Sequence, residues 1–166
     1  MSQDNHLRVG NHDISFKGHV KNLGVYTDAT LSMVKHIDHI SRSADLEIRR
    51  ISSIRHLMTT KATARLRCSF ILSRLDYCNS LLIDINCDQM YSLQKVQNHA
   101  AKVVFCKSRH EHVRPLLKAL RWLPVKDMII FKIATFVFCF FDGILPPYLS
   151  SCLSVYTPCT IPLQFR

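Results

Sequence analysis

The chain has 166 residues, of which 48% are hydrophobic, and it contains only 4 Gly and 6 Pro. This length fits about one domain, and the composition argues against a disordered chain and against a turn-rich all-β protein, so we expect a mainly α fold. Lys and Arg number 22 against 12 Asp and Glu, and the net charge of +10 suits a polyanionic partner such as RNA or DNA, or a membrane surface.

The first predicted elements are short strands. Residues 7–9 and 14–16 flank Gly10-Asn11, a pair that tolerates the positive φ of tight turns, so they predict a β-hairpin. Residues 20–25 predict a third strand. We therefore expect a β-hairpin or a small three-stranded sheet within residues 1–30.

A bundle of about five helices is predicted in residues 31–156. Isoleucine and alanine recur every three or four residues between 34 and 58, which indicates the first helix. Thr59 or Thr60 can cap a second helix that continues to about residue 75, with Ala62, Leu66 and Phe70 as its apolar stripe.

Three further helices complete the predicted bundle. Asp88 can cap the third, and Pro115 fits the first turn of a short fourth helix over residues 114–120. Residues 125–141 form a fifth helix that is apolar nearly all round, so we expect it to be central and buried. Pro146-Pro147 should prevent the helix from resuming, and residues 157–166 are interpreted as a tail.

Cysteine and histidine patterns predict no cofactor and no metal site. The seven cysteines form no Cys-x-x-Cys pair and most have apolar neighbours, which favours buried, reduced thiols. His36 and His39, or His110 and His112, lack the partners of a four-ligand zinc site. The N-terminal residues have no apolar core, and no apolar run reaches the roughly 20 residues of a membrane span, so we expect an intracellular chain without membrane segments.

The strongest local functional signal is a basic cluster without any Asp or Glu between residues 49 and 74. It consists of Arg49, Arg50, Arg55, Lys61, Arg65, Arg67 and Arg74. Such a density of positive charge can track phosphates, because neutralising them releases condensed counterions. The alternative is a solvated helix face whose long side chains cover apolar surface.

Five sequence blocks, taken in order, point to one family. They are Val-Lys-Asn-Leu-Gly-Val-Tyr-Thr-Asp-Ala-Thr-Leu at residues 20–31, Ser-Arg-Leu-Asp-Tyr-Cys-Asn-Ser-Leu-Leu at 73–82, Leu-Gln-Lys-Val-Gln-Asn-His-Ala-Ala at 93–101, Leu-Arg-Trp-Leu-Pro-Val at 120–125 and Ile-Leu-Pro-Pro-Tyr-Leu at 144–149. Together they resemble the region that follows the catalytic palm in reverse transcriptases of non-LTR (LINE-type) retrotransposons.

The resemblance implies that residues 20–25 correspond to the strand closing the palm and residues 37–75 to the first part of the thumb, which grips the template-primer duplex. Polymerisation in this family needs paired aspartates that hold two metal ions, and no Asp-Asp occurs here. We therefore expect a catalytically inactive remnant without fingers or most of the palm. It would bind RNA or DNA independently of sequence and self-associate through the surface that the palm would cover. Two alternatives are a helical protein-interaction module and an open reading frame without selected function.

Overall fold

The computed structural model describes residues 6–15 and 18–156, and it confirms a mainly α fold. The chain divides into two compact units, Met1–Ile130 and Phe131–Arg166. The first unit includes the strands and the helices up to Ile130. The predicted division after residue 30 stays a prediction. The predicted tail at 157–166 lies outside the described residues.

The strands form two separate antiparallel hairpins instead of one three-stranded sheet. Strand β1 (His6–Val9) pairs with β2 (His12–Ser15), and β3 (His19–Asn22) pairs with β4 (Val25–Asp28). The prediction of a single strand over residues 20–25 is wrong. Leu23 and Gly24 have φ values of +46° and +86°, so they form a two-residue turn that reverses the chain inside this stretch.

Asp28 organises the connection from β4 to the first helix. Its carboxylate accepts hydrogen bonds from the Ser32 hydroxyl at 2.6 Å, the Ser32 amide at 3.0 Å, and the Thr30 hydroxyl and amide at 2.8 and 3.0 Å. These bonds, those from Ser32 first, lower the pKa of Asp28 to about 2.

Helix α1 (Val34–Ser53) buries the predicted apolar stripe against a later helix, Cys87–Val104. Its buried residues are His36, Ile37, Ile40, Ala44, Ile48 and Ile51. The helix ends five residues before the predicted residue 58, and a 3₁₀ turn (Arg55–Leu57) follows. Thr59 then caps α2 (Thr60–Arg67) as predicted, since its hydroxyl accepts from the Ala62 amide at 3.2 Å.

The buried stripe of the second helical segment lies one residue later than predicted. A π-helical turn (Cys68–Leu72) joins α2 to α3 (Ser73–Asp76), and the buried residues are Thr63, Arg67, Ile71 and Leu75. Ala62 and Phe70 of the predicted stripe are exposed, and Leu66 is half-buried. The observed stripe buries Ile71 and Leu75 at its end and places Arg67 in the core.

Helix α4 (Cys87–Val104) begins at a capping box made by Asn86 and Gln89, so the prediction of Asp88 as the cap is wrong by two residues. A 3₁₀ turn (Asn79–Leu82) precedes it. Helix α5 (Arg114–Leu120) follows with Pro115 in its first turn, as predicted. Gln97 of α4 donates to the Leu123 carbonyl at 2.7 Å, which fastens the connection leading to the last long helix.

Helix α6 (Val125–Phe141) has the predicted bounds but is not the central, buried helix. Only Val125 and Ile129 are buried, whereas Phe131 and Phe138 are 63% and 62% exposed. The reason is that only the first turns of α6 belong to the unit with the main core. The helix ends at Asp142-Gly143, and a short helix α7 (Pro147–Ser150) begins where the two prolines were expected to prevent one.

The cysteines also differ from prediction. Six lie in the described part of the chain; none of them is buried and none forms a disulfide. Cys78 and Cys106 stand in left-handed backbone positions that end helical or turn segments, which places them outside the core. Among the described residues, no helix combines the length and the hydropathy needed to cross a membrane.

Candidate nucleic-acid interface

Lys61 and Arg65 lie on the solvent side of α2. They are one turn apart on the same face, opposite Thr63 and Arg67, which point into the core. Both are exposed, and within residues 6–15 and 18–156 neither makes an ion pair or a side-chain hydrogen bond. Their charges are therefore available to a ligand.

Arg49 and Arg50 lie near the end of α1, and both are exposed. The Arg50 Nη1 atom is 3.0 Å from the Glu47 Oε1 atom, so a carboxylate one turn earlier partly neutralises it. Glu47 precedes the acid-free stretch, so the charge of residues 49–74 does not include it. The i, i+3 spacing of Glu47 and Arg50 was the signal that could have revealed this pair.

Arg55 has a structural role in this fold. Its Nε and Nη2 atoms donate to the carbonyls of Val103 and Val104 at 3.3 and 2.8 Å, where α4 ends. Its Nη1 atom donates to the Met58 carbonyl at 2.7 Å, and Nη2 also reaches the Thr60 hydroxyl at 3.2 Å. The guanidinium thus satisfies helix-end carbonyls and ties the α1–α2 connection to α4.

Arg67 is 0% exposed, so the expectation that it lies on a ligand-facing surface is corrected by the structure. Its Nη2 atom donates at 3.3 Å to both the Ile48 carbonyl and the Ser52 hydroxyl. Its Nε and Nη1 atoms have no hydrogen-bond partner in the described part of the chain. Burial, and secondarily the charge of Arg55, lower the pKa of Arg67 to about 10.

Arg74 lies where α3 approaches α1. Its Nη1 atom donates to the Ser43 hydroxyl, and its Nη2 atom is 3.7 Å from the Glu47 Oε1 atom. Glu47 therefore forms ion pairs with both Arg50 and Arg74. The side chain is 39% exposed, but its position is set by these contacts within the protein.

The structure leaves four of the seven predicted residues as exposed positive side chains at the surface. They are Arg49, Arg50, Lys61 and Arg65, which we call the basic face. Helices α1 and α2, which carry it, contact each other. Because Arg49, Lys61 and Arg65 have no intramolecular pairing partner among the described residues, the face can pair with phosphates.

No metal site is found among the described residues, since no three His, Cys, Asp or Glu side chains come together in a suitable cluster. Comparisons with models of protein families, with curated proteins and with solved structures find no match to this chain.

Proposed function

We propose that the chain binds RNA or DNA independently of sequence through the basic face, as an inactive remnant of a non-LTR retrotransposon reverse transcriptase. The observation that carries the binding proposal is the pair Lys61 and Arg65, exposed, one turn apart and unpaired within the described residues. The net charge of +10 supports it, because a positive field attracts polyanions at long range.

The ancestry part of the proposal rests on the resemblance of the five sequence blocks. The proposal assigns no catalysis to the chain, because no Asp-Asp pair is present to hold two metal ions. Template-dependent nucleotide incorporation by the purified protein, lost on mutation of one of its own aspartates, would contradict this assignment.

Salt-dependent binding tests the basic face directly. Anisotropy of labelled duplex and single-stranded RNA and DNA, measured between about 50 and 200 mM salt, gives the slope of log K against log salt. Replacing Lys61 and Arg65 together by Gln should reduce the magnitude of that slope by about 1.4 to 1.8, or about 0.7 to 0.9 for each lost phosphate contact.

The matched control is the double variant Lys118→Gln with Lys126→Gln. These exposed lysines lie on α5 and α6, and their loss lowers the net charge equally, from +10 to 10 − 2 = +8. The control should keep nearly the parental slope. Equal loss in both variants would indicate attraction to overall charge, and absence of binding at low salt would refute the proposal.

A second candidate function is supported by the apolar surface of the second unit. Phe131, Phe138, Phe141 and Tyr148 are 63%, 62%, 69% and 70% exposed. Exposed aromatic side chains at this density are typical of surfaces that meet another chain. We propose self-association of this surface, to be measured by sedimentation velocity. Replacing Phe131 and Phe138 by Ser should shift the protein toward monomer, whereas a parent that stays monomeric at high concentration would exclude this function.

A further inference from the structure

One face of helix α6 carries a regularly spaced set of exposed residues. Phe131, Phe138 and Phe141 are 63%, 62% and 69% exposed, and Ala134 is exposed as well. In chain order the four lie 3, 4 and 3 residues apart, which is the spacing that places side chains on one stripe of a helix. We call these four residues the α6 stripe. They all belong to the second unit.

Contacts within the protein define the end of the α6 stripe, and the stripe carries no charge. The Asp142 amide donates to the Phe138 carbonyl at 3.0 Å, so the helical turn continues through Phe141. The Phe140 and Phe141 rings meet edge to face with 5.4 Å between their centroids, which restricts the orientation of the Phe141 ring. No charged residue occurs in residues 133–141. Aromatic residues without charge are typical of the centre of a protein interface.

The order of side-chain sizes makes the α6 stripe complementary to itself. The spacing of 3, 4 and 3 is the same in both directions, so a second, antiparallel copy of α6 brings Ala134 opposite Phe138. The same pairing brings Phe131 opposite Phe141 at both ends. A large side chain then faces a small one in two central layers, which fills the space between the helices. A parallel pair would put Ala134 opposite Ala134 and leave a gap there.

The size of this contact predicts a weak dimer. A Phe side chain buries about 150 to 250 Å² when it is fully covered, and the three Phe residues of the stripe are 62% to 69% exposed. They therefore offer roughly 400 Å² per chain, or about 800 Å² in the pair. Interfaces below about 1,200 Å² are typical of weak, transient complexes. The pair should form at high protein concentration and dissociate on dilution.

We propose that the α6 stripe packs antiparallel against the α6 stripe of a second copy of this chain, with Ala134 opposite Phe138 in two central layers. This inference rests on the proposed self-association of the second unit and specifies which surface the second copy presents and in which direction. Antiparallel pairing about a two-fold axis covers the stripe of each copy once, so the assembly is a closed dimer.

Photo-crosslinking of the full-length chain tests the direction of the pair. The photoreactive amino acid p-benzoylphenylalanine replaces Phe141, and the protein is irradiated at a concentration where sedimentation velocity shows that this substituted chain associates. The product is then digested with trypsin. Cleavage after Lys126 and Lys132 separates the stripe into the peptide 127–132, which holds its first residue, and the peptide 133–166, which holds the photoreactive one.

The two directions give different crosslinked peptides. The antiparallel pair should join the peptide 127–132 to the peptide 133–166, whereas a parallel pair would join two copies of 133–166. A single chain cannot form the first product across its own helix, since residues 131 and 141 lie about 15 Å apart along α6. Mass spectrometry of the digest identifies which product is present.

A change of side-chain size tests the central layers. Ala134→Phe should weaken association by about tenfold or more, because it sets Phe against Phe138 in both layers and overpacks them. Ala119→Phe is the matched control, since it adds the same side chain at an exposed residue of α5 and should associate as the parent does. Circular dichroism of both variants should equal that of the parent, because both alanines are exposed.

The results distinguish this pairing from self-association as such. The product of 127–132 with 133–166, together with weakened association of Ala134→Phe, supports the antiparallel pair. Only the product of 133–166 with itself, or undiminished association of Ala134→Phe, overturns the pair while self-association of the second unit stands. A parent that stays monomeric at high concentration overturns both. If that monomer floats with phospholipid vesicles, the stripe belongs to a lipid surface instead.

Discussion

Both sides of α2 carry basic side chains, but those on one side are exposed and the one on the other side is buried. Arg65 is exposed and unpaired among the described residues, whereas Arg67, two positions later, is fully buried with two of its guanidinium nitrogens lacking a partner. Two positions rotate a helix by more than half a turn, so neighbouring basic residues need not share a surface. Positive charge counted along the sequence therefore overstates the positive charge that a ligand meets.

The largest effect on stability is expected at Arg55, a basic residue whose hydrogen bonds are all within the protein. Arg55→Met should lower the free energy of unfolding by about 2 kcal/mol, because hydrogen bonds from a charged donor to the carbonyls of Val103 and Val104 are lost. Urea unfolding followed by circular dichroism measures the change. Arg42→Met, at a residue whose side chain is 82% exposed, is the matched control and should stay within about 0.5 kcal/mol of the parent. Equal urea midpoints for Arg55→Met and the parent would show that Arg55 does not stabilise the fold.

A smaller effect of opposite sign is expected for Arg67. Arg67→Met should raise the free energy of unfolding by about 1 kcal/mol, because it replaces a buried, incompletely paired charge by an apolar side chain of similar length. The Ile48 carbonyl keeps the Ser52 hydroxyl as a partner at 2.6 Å. Arg65→Met is the control and should change stability by less than about 0.5 kcal/mol. A loss of stability above about 1 kcal/mol in Arg67→Met would show that the buried guanidinium stabilises the fold.

Much of the helical framework could be predicted because its signals are local. The apolar repeat of α1, the Thr59 cap and Pro115 in the first turn of α5 each depend on a few neighbouring residues, and all three predictions are confirmed. The β3–β4 hairpin was missed because Leu23 is an unusual residue for positive φ, which made residues 20–25 look continuous.

The basic cluster was only partly predictable because its outcome depends on tertiary contacts. The roles of Arg55 and Arg67 follow from where the end of α4 and the last turns of α1 lie in space. No spacing in the sequence encodes those positions. The same holds for α6, whose apolar sequence predicted burial although most side chains of its second half are exposed.

The charge of Arg67 should also be detectable at His99. Burial lowers the pKa of His99, Asp45 at 3.8 Å raises it, and Arg67 lowers it as a smaller contribution. In Arg67→Met the His99 pKa should therefore rise, measured by NMR titration of its Cε1–Hε1 signal, whereas Lys61→Gln with Arg65→Gln should leave it unchanged.

This change has a defined effect on stability. Because the folded His99 pKa lies below the ordinary 6.5, the unfolded chain binds the proton more readily, and stability falls as the pH drops below 6.5. A raised folded pKa removes part of that fall, so Arg67→Met should show a shallower loss of stability on acidification than the parent. His36, whose pKa is also lowered, keeps its own contribution in both proteins. Parallel pH profiles for the two would contradict the coupling.

The smallest effect on stability is expected on the exposed side of α2. Lys61→Gln with Arg65→Gln should change the free energy of unfolding by less than about 0.5 kcal/mol, because neither side chain has a partner among the described residues and Gln has a similar helix propensity. The same variant should lose the salt-dependent part of nucleic-acid binding that these two residues supply. If the variant lost both binding and stability, the loss of binding would be explained by unfolding. The result would then not show that the basic face binds nucleic acid. Binding lost at unchanged stability is the result that separates the two sides, because only an exposed, unpaired charge can be removed without cost to the core.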